Sequence, residues 1–188
     1  KCKIKLQKQA ICTIEDYANM SSYFDEHIYM FHYGGEVRNA MLNYKFRDMS
    51  YIYITFINFL KNNEKIIEQM KKYDIIMPVP ISKKKFKQRG YNQSAIIARS
   101  LANFLQMEYE ENILIKIKDN KAQSTLSGEE RIQNVQKVYK IRNEPKIYNK
   151  KILLVDDIFT TGNTVNECSK TLVENFVEKV GIFTLAKD

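Results

Sequence analysis

Two adjacent acids followed by hydroxyls around a glycine hold the most chemistry in this chain: Asp156, Asp157, Ile158, Phe159, Thr160, Thr161, Gly162, Asn163 and Thr164. Ionised carboxylates only accept hydrogen bonds, so Asp156 and Asp157 suit a partner that presents hydroxyl donors. Backbone N–H groups of a tight turn feeding a helix make a concave donor site for one phosphate. Gly162 lets the backbone come close, and the hydroxyls of Thr160, Thr161 and Thr164 add donors. A ribose with a free 2′,3′-diol and a 5′-phosphate satisfies both halves at once. A nucleoside triphosphate fits less well, because the lysine and spacing of GxxxxGK[ST] are absent.

A second cluster is basic. Lys83, Lys84, Lys85, Lys87 and Arg89 follow the strand-like Ile75, Ile76 and Met77, after Pro78 and Pro80 have stopped regular pairing. The segment reads as a loop. On its own a lysine run is commonly a solvated face. In the loop after a strand of a sheet that already holds a ribose phosphate, Lys83, Lys84, Lys85 and Arg89 would cradle a pyrophosphate. Phe86 and Tyr91, beside the cations, could stack bases of a single strand, although aromatic packing anchors are commoner.

These residues need elements to hold them. Ile152 to Val155 form a short apolar run of the kind buried on both faces of a parallel sheet. Strands are expected near 28–32, 75–79, 113–118, 138–141, 152–156 and 180–186. Helices are expected near 37–44, 51–60, 93–105 and 163–176. Strands alternating with helices predict an α/β fold with a doubly wound, mainly parallel sheet, whose ligands bind at the carboxyl ends of the strands. His27 and His32 read as strand or surface histidines rather than metal ligands.

The stretch VDDIFTTGNT resembles the PRPP-binding motif of type I phosphoribosyltransferases (PRPP is 5-phosphoribosyl 1-pyrophosphate). Residues 75–94, IIMPVPISKKKFKQRGYNQS, narrow the likeness to the ComF family, a phosphoribosyltransferase-like branch associated with competence for DNA uptake. Two further stretches fit: Gln123 to Ser127 with Glu130, Arg131, Asn134 and Val135, and, more weakly, Tyr33 to Arg38 with Lys45 and Phe46. The resemblance implies that Asp156 and Asp157 face the ribose hydroxyls while residues 160–164 hold the 5′-phosphate. It also makes Asp156, Asp157 and Arg131 the catalytic candidates. Ser127 to Glu130 is a capping box, so this part is expected to start a helix whatever Arg131 does, and Arg131 could also reach phosphate from a flap. Magnesium would be bound mainly through PRPP, and no dedicated protein metal site is expected. The N-terminal part, about residues 1–70, would be the hood that supplies the acceptor's pocket within one domain spanning 1–188.

Composition agrees with one domain: 188 residues, 44% hydrophobic, without internal repeats. The apolar runs are too short to span a membrane, and no signal peptide opens the chain, which lacks an initial methionine. A net charge of +8 and a pI near 9.2 favour anionic partners, PRPP and nucleic acid alike. Three cysteines suggest a reducing compartment, hence a cytoplasmic location, and Cys168 reads as buried packing. ComF-like proteins often carry paired CxxC zinc knuckles. Only Cys2 and Cys12 correspond here and a closed site needs four ligands, so no zinc is expected in these residues. Three functions stay open: a phosphoribosyltransferase with an unidentified nitrogenous acceptor, a competence protein handling single-stranded DNA, and a PRPP sensor. The oligomeric state is not assigned.

Overall fold

The computed structural model describes residues 9–46, 52–118 and 138–188. Its centre is a six-stranded sheet built around β7 (Lys151–Phe159) and β8 (Lys179–Lys187), the two nine-residue strands. β2 (Glu26–His32) flanks β8 and β3 (Ile75–Pro78) flanks β7, all parallel. The edges are β1 (Thr13–Asp16), antiparallel to β2, and the short β4 (Glu108–Tyr109), parallel to β3. The order is therefore β1-β2-β8-β7-β3-β4.

The period of two along β7 decides which side chains serve which face. Leu153 and Val155 join a core with Phe183 and Leu185 of β8. Covering that face are α1 (Gly35–Phe46), α2 (Ile52–Leu60), α3 (Glu64–Met70) and α5 (Gln93–Leu105). Ile152 and Leu154, with Val180 and Ile182, face the other way. There they meet Val165, Cys168 and Leu172 of α6 (Asn163–Val173), and Phe24 from the β1–β2 loop. Both faces are thus covered, as a doubly wound sheet requires.

Several elements differ from the sequence expectation. The basic segment is not a loop but a helix, α4 (Lys83–Arg89), whose N-terminus Ser82 caps by accepting from Lys85 N. It closes at Gly90 in the left-handed conformation. Lys, Gln and Arg are good helix formers, so a capped run of them folds without burying anything. The stretches at 113–118 and 138–141 do form strands, β5 (Leu114–Lys116) and β6 (Tyr139–Ile141). They pair antiparallel in a separate two-stranded sheet against α6, outside the main sheet. In the N-terminal region, β2 is bonded to β8 within the main sheet. The last helix ends at Val173, three residues before the expected 176, and Phe176 adopts a positive φ of 62°. Among the described residues, no helix is long and apolar enough to cross a membrane.

Candidate functional site

The carboxyl ends of β2, β3, β7 and β8 lie along one edge of the sheet, and the motifs leave from there. β7 does not stop at the acids but continues two residues further to Phe159, which pairs with Lys187. Asp156 is half-buried, and its Oδ1 accepts from Ser94 Oγ (2.7 Å) and Asp157 N (2.9 Å). Asp157 is only 8% accessible, and its Oδ1 accepts from Ile158 N (2.8 Å). The acid pair is therefore tied into the strand end rather than dangling from it.

After Phe159 the chain turns through Thr160 and Thr161 to Gly162, which starts α6 with φ of 73°. Glycine tolerates that conformation without strain, and no side chain caps the helix. This geometry aims backbone N–H groups outward beside the acids, the arrangement an anion prefers at a helix start. Behind it Cys168 is fully buried, and burial together with the nearby Asp156 charge pushes its thiol up, so it serves packing as expected.

The neighbouring loops are bound to this edge. Val79 N donates to Val155 O (2.8 Å), and Asn92 Nδ2 donates to Val79 O (3.0 Å). Asn92 also caps α5, whose Ser94 reaches Asp156. Arg89 Nη1 donates to Gln93 Oε1 (3.1 Å), fixing the end of α4 to the start of α5. Lys83, Lys84, Lys85 and Lys87 all face solvent, and Phe86 is 49% exposed between them. Three lysines in the first turn oppose the positive end of the helix dipole, a mismatch that an anion nearby would relieve. On the far side, Tyr33 N donates to Lys187 O (2.6 Å), so Tyr33 to Glu36 reach the same edge. Arg131, with 123–127, 130, 134 and 135, lies outside the described residues, as do Cys2 and Lys1 to Lys8.

Sequence reasoning missed an aromatic cluster beside the turn. His27, fully buried, stacks on Phe159 with ring centres 4.3 Å apart, and Tyr17 and Phe24 close around the same ring. Lys187 lies over the rings of Tyr17, Tyr29 and Phe159 and pairs with Glu15. Burial alone would raise the Glu15 carboxyl, but hydrogen bonds from Lys187, Tyr29 and Tyr17 hold it below its ordinary range. Nothing in the spacing of residues 15–29 pointed to Phe159, because the contact depends on β2 lying beside β8. A cleft of about 250 Å³ between β6 and α6, lined by Tyr139, Ile141, Thr171 and Asn175 among others, contains none of the motif residues.

The phosphoribosyl transferase domain model matches residues 87–188, which carry Arg89, the acid pair and the glycine turn. The chain belongs to the phosphoribosyltransferase family, in its ComF branch. The branch follows from its relatives. Competence protein F of Haemophilus influenzae is 29% identical over 87% of this chain and 73% of its own length. Competence protein ComFC of Streptococcus pneumoniae is 29% identical over 86% and 68%. The DNA utilization protein YhgH of Escherichia coli K12 is 26% identical over 61% of this chain and about half of its own length (49%). Among solved structures, the phosphoribosyltransferase fold resembles the Staphylococcus aureus hypoxanthine phosphoribosyltransferase at 15% identity and a TM-score of 0.44, over 76% of this chain and 64% of that one. The Pyrococcus horikoshii purine phosphoribosyltransferase matches at 12% and 0.41, over 66% and 79%. At those scores the fold assignment rests on the sheet's own topology and the family match.

Proposed function

We propose that this ComF-type protein binds PRPP and transfers its phosphoribosyl group to a nitrogenous acceptor, releasing pyrophosphate. One observation carries the reading: an acid pair near the end of a central parallel strand is followed, five residues after Asp157, by a left-handed glycine and a helix start that no side chain caps. In it, Asp156 and Asp157 accept from the ribose hydroxyls, and Thr160, Thr161, Gly162, Asn163 and Thr164 surround the 5′-phosphate. Lys83, Lys84, Lys85 and Arg89 of the adjacent α4 receive the pyrophosphate. Attack on the anomeric carbon breaks its bond to that pyrophosphate, so the protein's work is to hold the ring and stabilise charge on the leaving group. Arg131 would join the leaving-group side.

Magnesium fits this scheme as a companion of the ligand. The described residues contain no group of three or more His, Cys, Asp or Glu able to hold a metal alone. Two carboxylates plus phosphate oxygens are the set magnesium accepts, and it would neutralise charge on the bound pyrophosphate. The N-terminal region, about residues 1–70, would line the acceptor's pocket.

Calorimetry with PRPP and magnesium tests the reading. The wild type should bind, and Asp156→Asn with Asp157→Asn should bind at least about tenfold more weakly while melting normally, since Asn keeps an oxygen for the Ile158 N–H. Unchanged affinity in that double variant would sink the assignment. A second reading, handling of single-stranded DNA on the same fold with or without turnover, is favoured by the exposed lysines of α4 around Phe86 and by the relatives' names. PRPP binding without product formation across candidate acceptors would instead favour a sensor.

A further inference from the structure

We propose that Phe159 is a positioning residue for the phosphate turn: its ring is the floor that holds Gly162 in its left-handed conformation before any ligand arrives. The inference rests on the phosphate reading of residues 160–164 and deepens it.

The geometry is close. A Cβ built on Gly162 would come within 2.6 Å of Phe159 Cζ and 3.2 and 3.3 Å of its two Cε atoms. The glycine backbone therefore lies directly on the ring edge, with φ at 73°. The ring in turn is immobilised from behind. His27 stacks on it at 4.3 Å and 27°, and Phe24 and Tyr17 meet it at 6.2 and 6.5 Å. Its main chain is bonded as well, Phe159 O accepting from Asp188 N (2.9 Å). The first turn of α6 is gripped separately: Asn166 Oδ1 accepts from Tyr23 N (2.8 Å), while Asn166 N donates to Gly162 O (2.9 Å). The loop between β1 and β2 thus holds both the ring under the turn and the helix after it. A turn preset in this way does not have to be ordered when phosphate binds. With a smaller side chain at 159 the turn loses its floor, and its N–H groups lose their common aim.

Ribose 5-phosphate and inorganic pyrophosphate should be titrated separately into the whole chain by calorimetry, using wild type, Phe159→Leu and Phe159→Ala. Amide hydrogen exchange is followed on the same samples. Phe159→Ala should bind ribose 5-phosphate about tenfold more weakly, and Phe159→Leu less severely, with pyrophosphate affinity unchanged in both. Exchange should quicken in residues 160–164 and stay at the wild-type rate in β8. Equal losses for both ligands, or exchange that quickens throughout the sheet, would show a merely structural side chain and overturn the proposal. If Phe159→Ala does not fold, Phe159→Leu decides, and wild-type affinity with wild-type exchange in that variant overturns it. A wild type that binds no ribose 5-phosphate would remove the ligand and this inference together. Normal wild-type binding with an unaffected variant removes this inference alone.

Discussion

His27 shows how one side chain can be fixed in charge and tautomer by its surroundings. His27 Nε2 lies 2.8 Å from Thr184 Oγ1, whose own proton is directed at Ala186 O (3.1 Å), an arrangement that suits the neutral tautomer donating from Nε2–H, while Nδ1 is buried with no hydrogen-bond partner. Burial first, and then the Lys187 charge, push this imidazole down to about 3. An unfolded chain titrates near the ordinary 6.5, so its histidine takes up a proton that the native one refuses. The stabilisation from neutral His27 is complete above about pH 6.5 and is lost as pH falls towards 3, by up to about 1.4 kcal/mol per pH unit. Urea unfolding at a series of pH values should show that slope, and His27→Gln should flatten it. An identical slope in the variant would place the proton uptake elsewhere. One residue earlier on the same strand, Glu26 accepts from Tyr73 Oη and Gln69 Nε2, both at 2.6 Å. A Cβ at Gly181 would overlap that Tyr73 hydroxyl. Gly181→Ala should therefore cost about 1–3 kcal/mol in thermal melts without touching ligand affinity.

At the scale of elements, α4 makes the sharpest prediction. If its lysines take the pyrophosphate, Lys83→Gln, Lys84→Gln and Lys85→Gln together should weaken PRPP and pyrophosphate binding by at least about tenfold, while ribose 5-phosphate loses much less. Equal losses for all three ligands would mark a general field that attracts any anion. The helix itself was hidden in the sequence. Pro78, Pro80 and Gly90 frame it like loop punctuation, and a run that buries nothing has no apolar period to read. Ser82 was the overlooked signal. By contrast α5 was legible to the residue, because Ile97, Leu101 and Leu105 repeat at helical spacing after Asn92. The acid pair and the glycine turn were legible because their chemistry is contiguous along the chain. The floor under that turn was not, since His27, Phe159 and Gly162 meet only once β2, β8 and β7 lie side by side. The same limit hid the separate pairing of β5 with β6.

For the whole molecule, the net charge of +8 predicts weak, salt-sensitive binding of single-stranded DNA. The logarithm of its affinity should fall against log salt with a slope of about −0.7 per phosphate neutralised, and saturating PRPP should compete if α4 serves both. No binding at low salt would remove the DNA reading, whereas binding indifferent to PRPP would move the DNA to another surface. Sheet order also has a consequence for how the protein is made. β8, later in sequence than every other strand, lies between β2 and β7. Until residues 179–187 have been made, β1-β2 on one side and β7-β3-β4 on the other lack the strand that joins them, so the two half-sheets cannot close. Closing them is a late, long-range step of the kind that folds slowly and aggregates when delayed. A stop codon after Glu178 should give an insoluble product, and supplying a peptide of residues 179–188 in trans during refolding should recover part of it. A soluble, cooperatively melting truncation would mean that the half-sheets stand on their own, and that β8 arrives only to aim the site they carry.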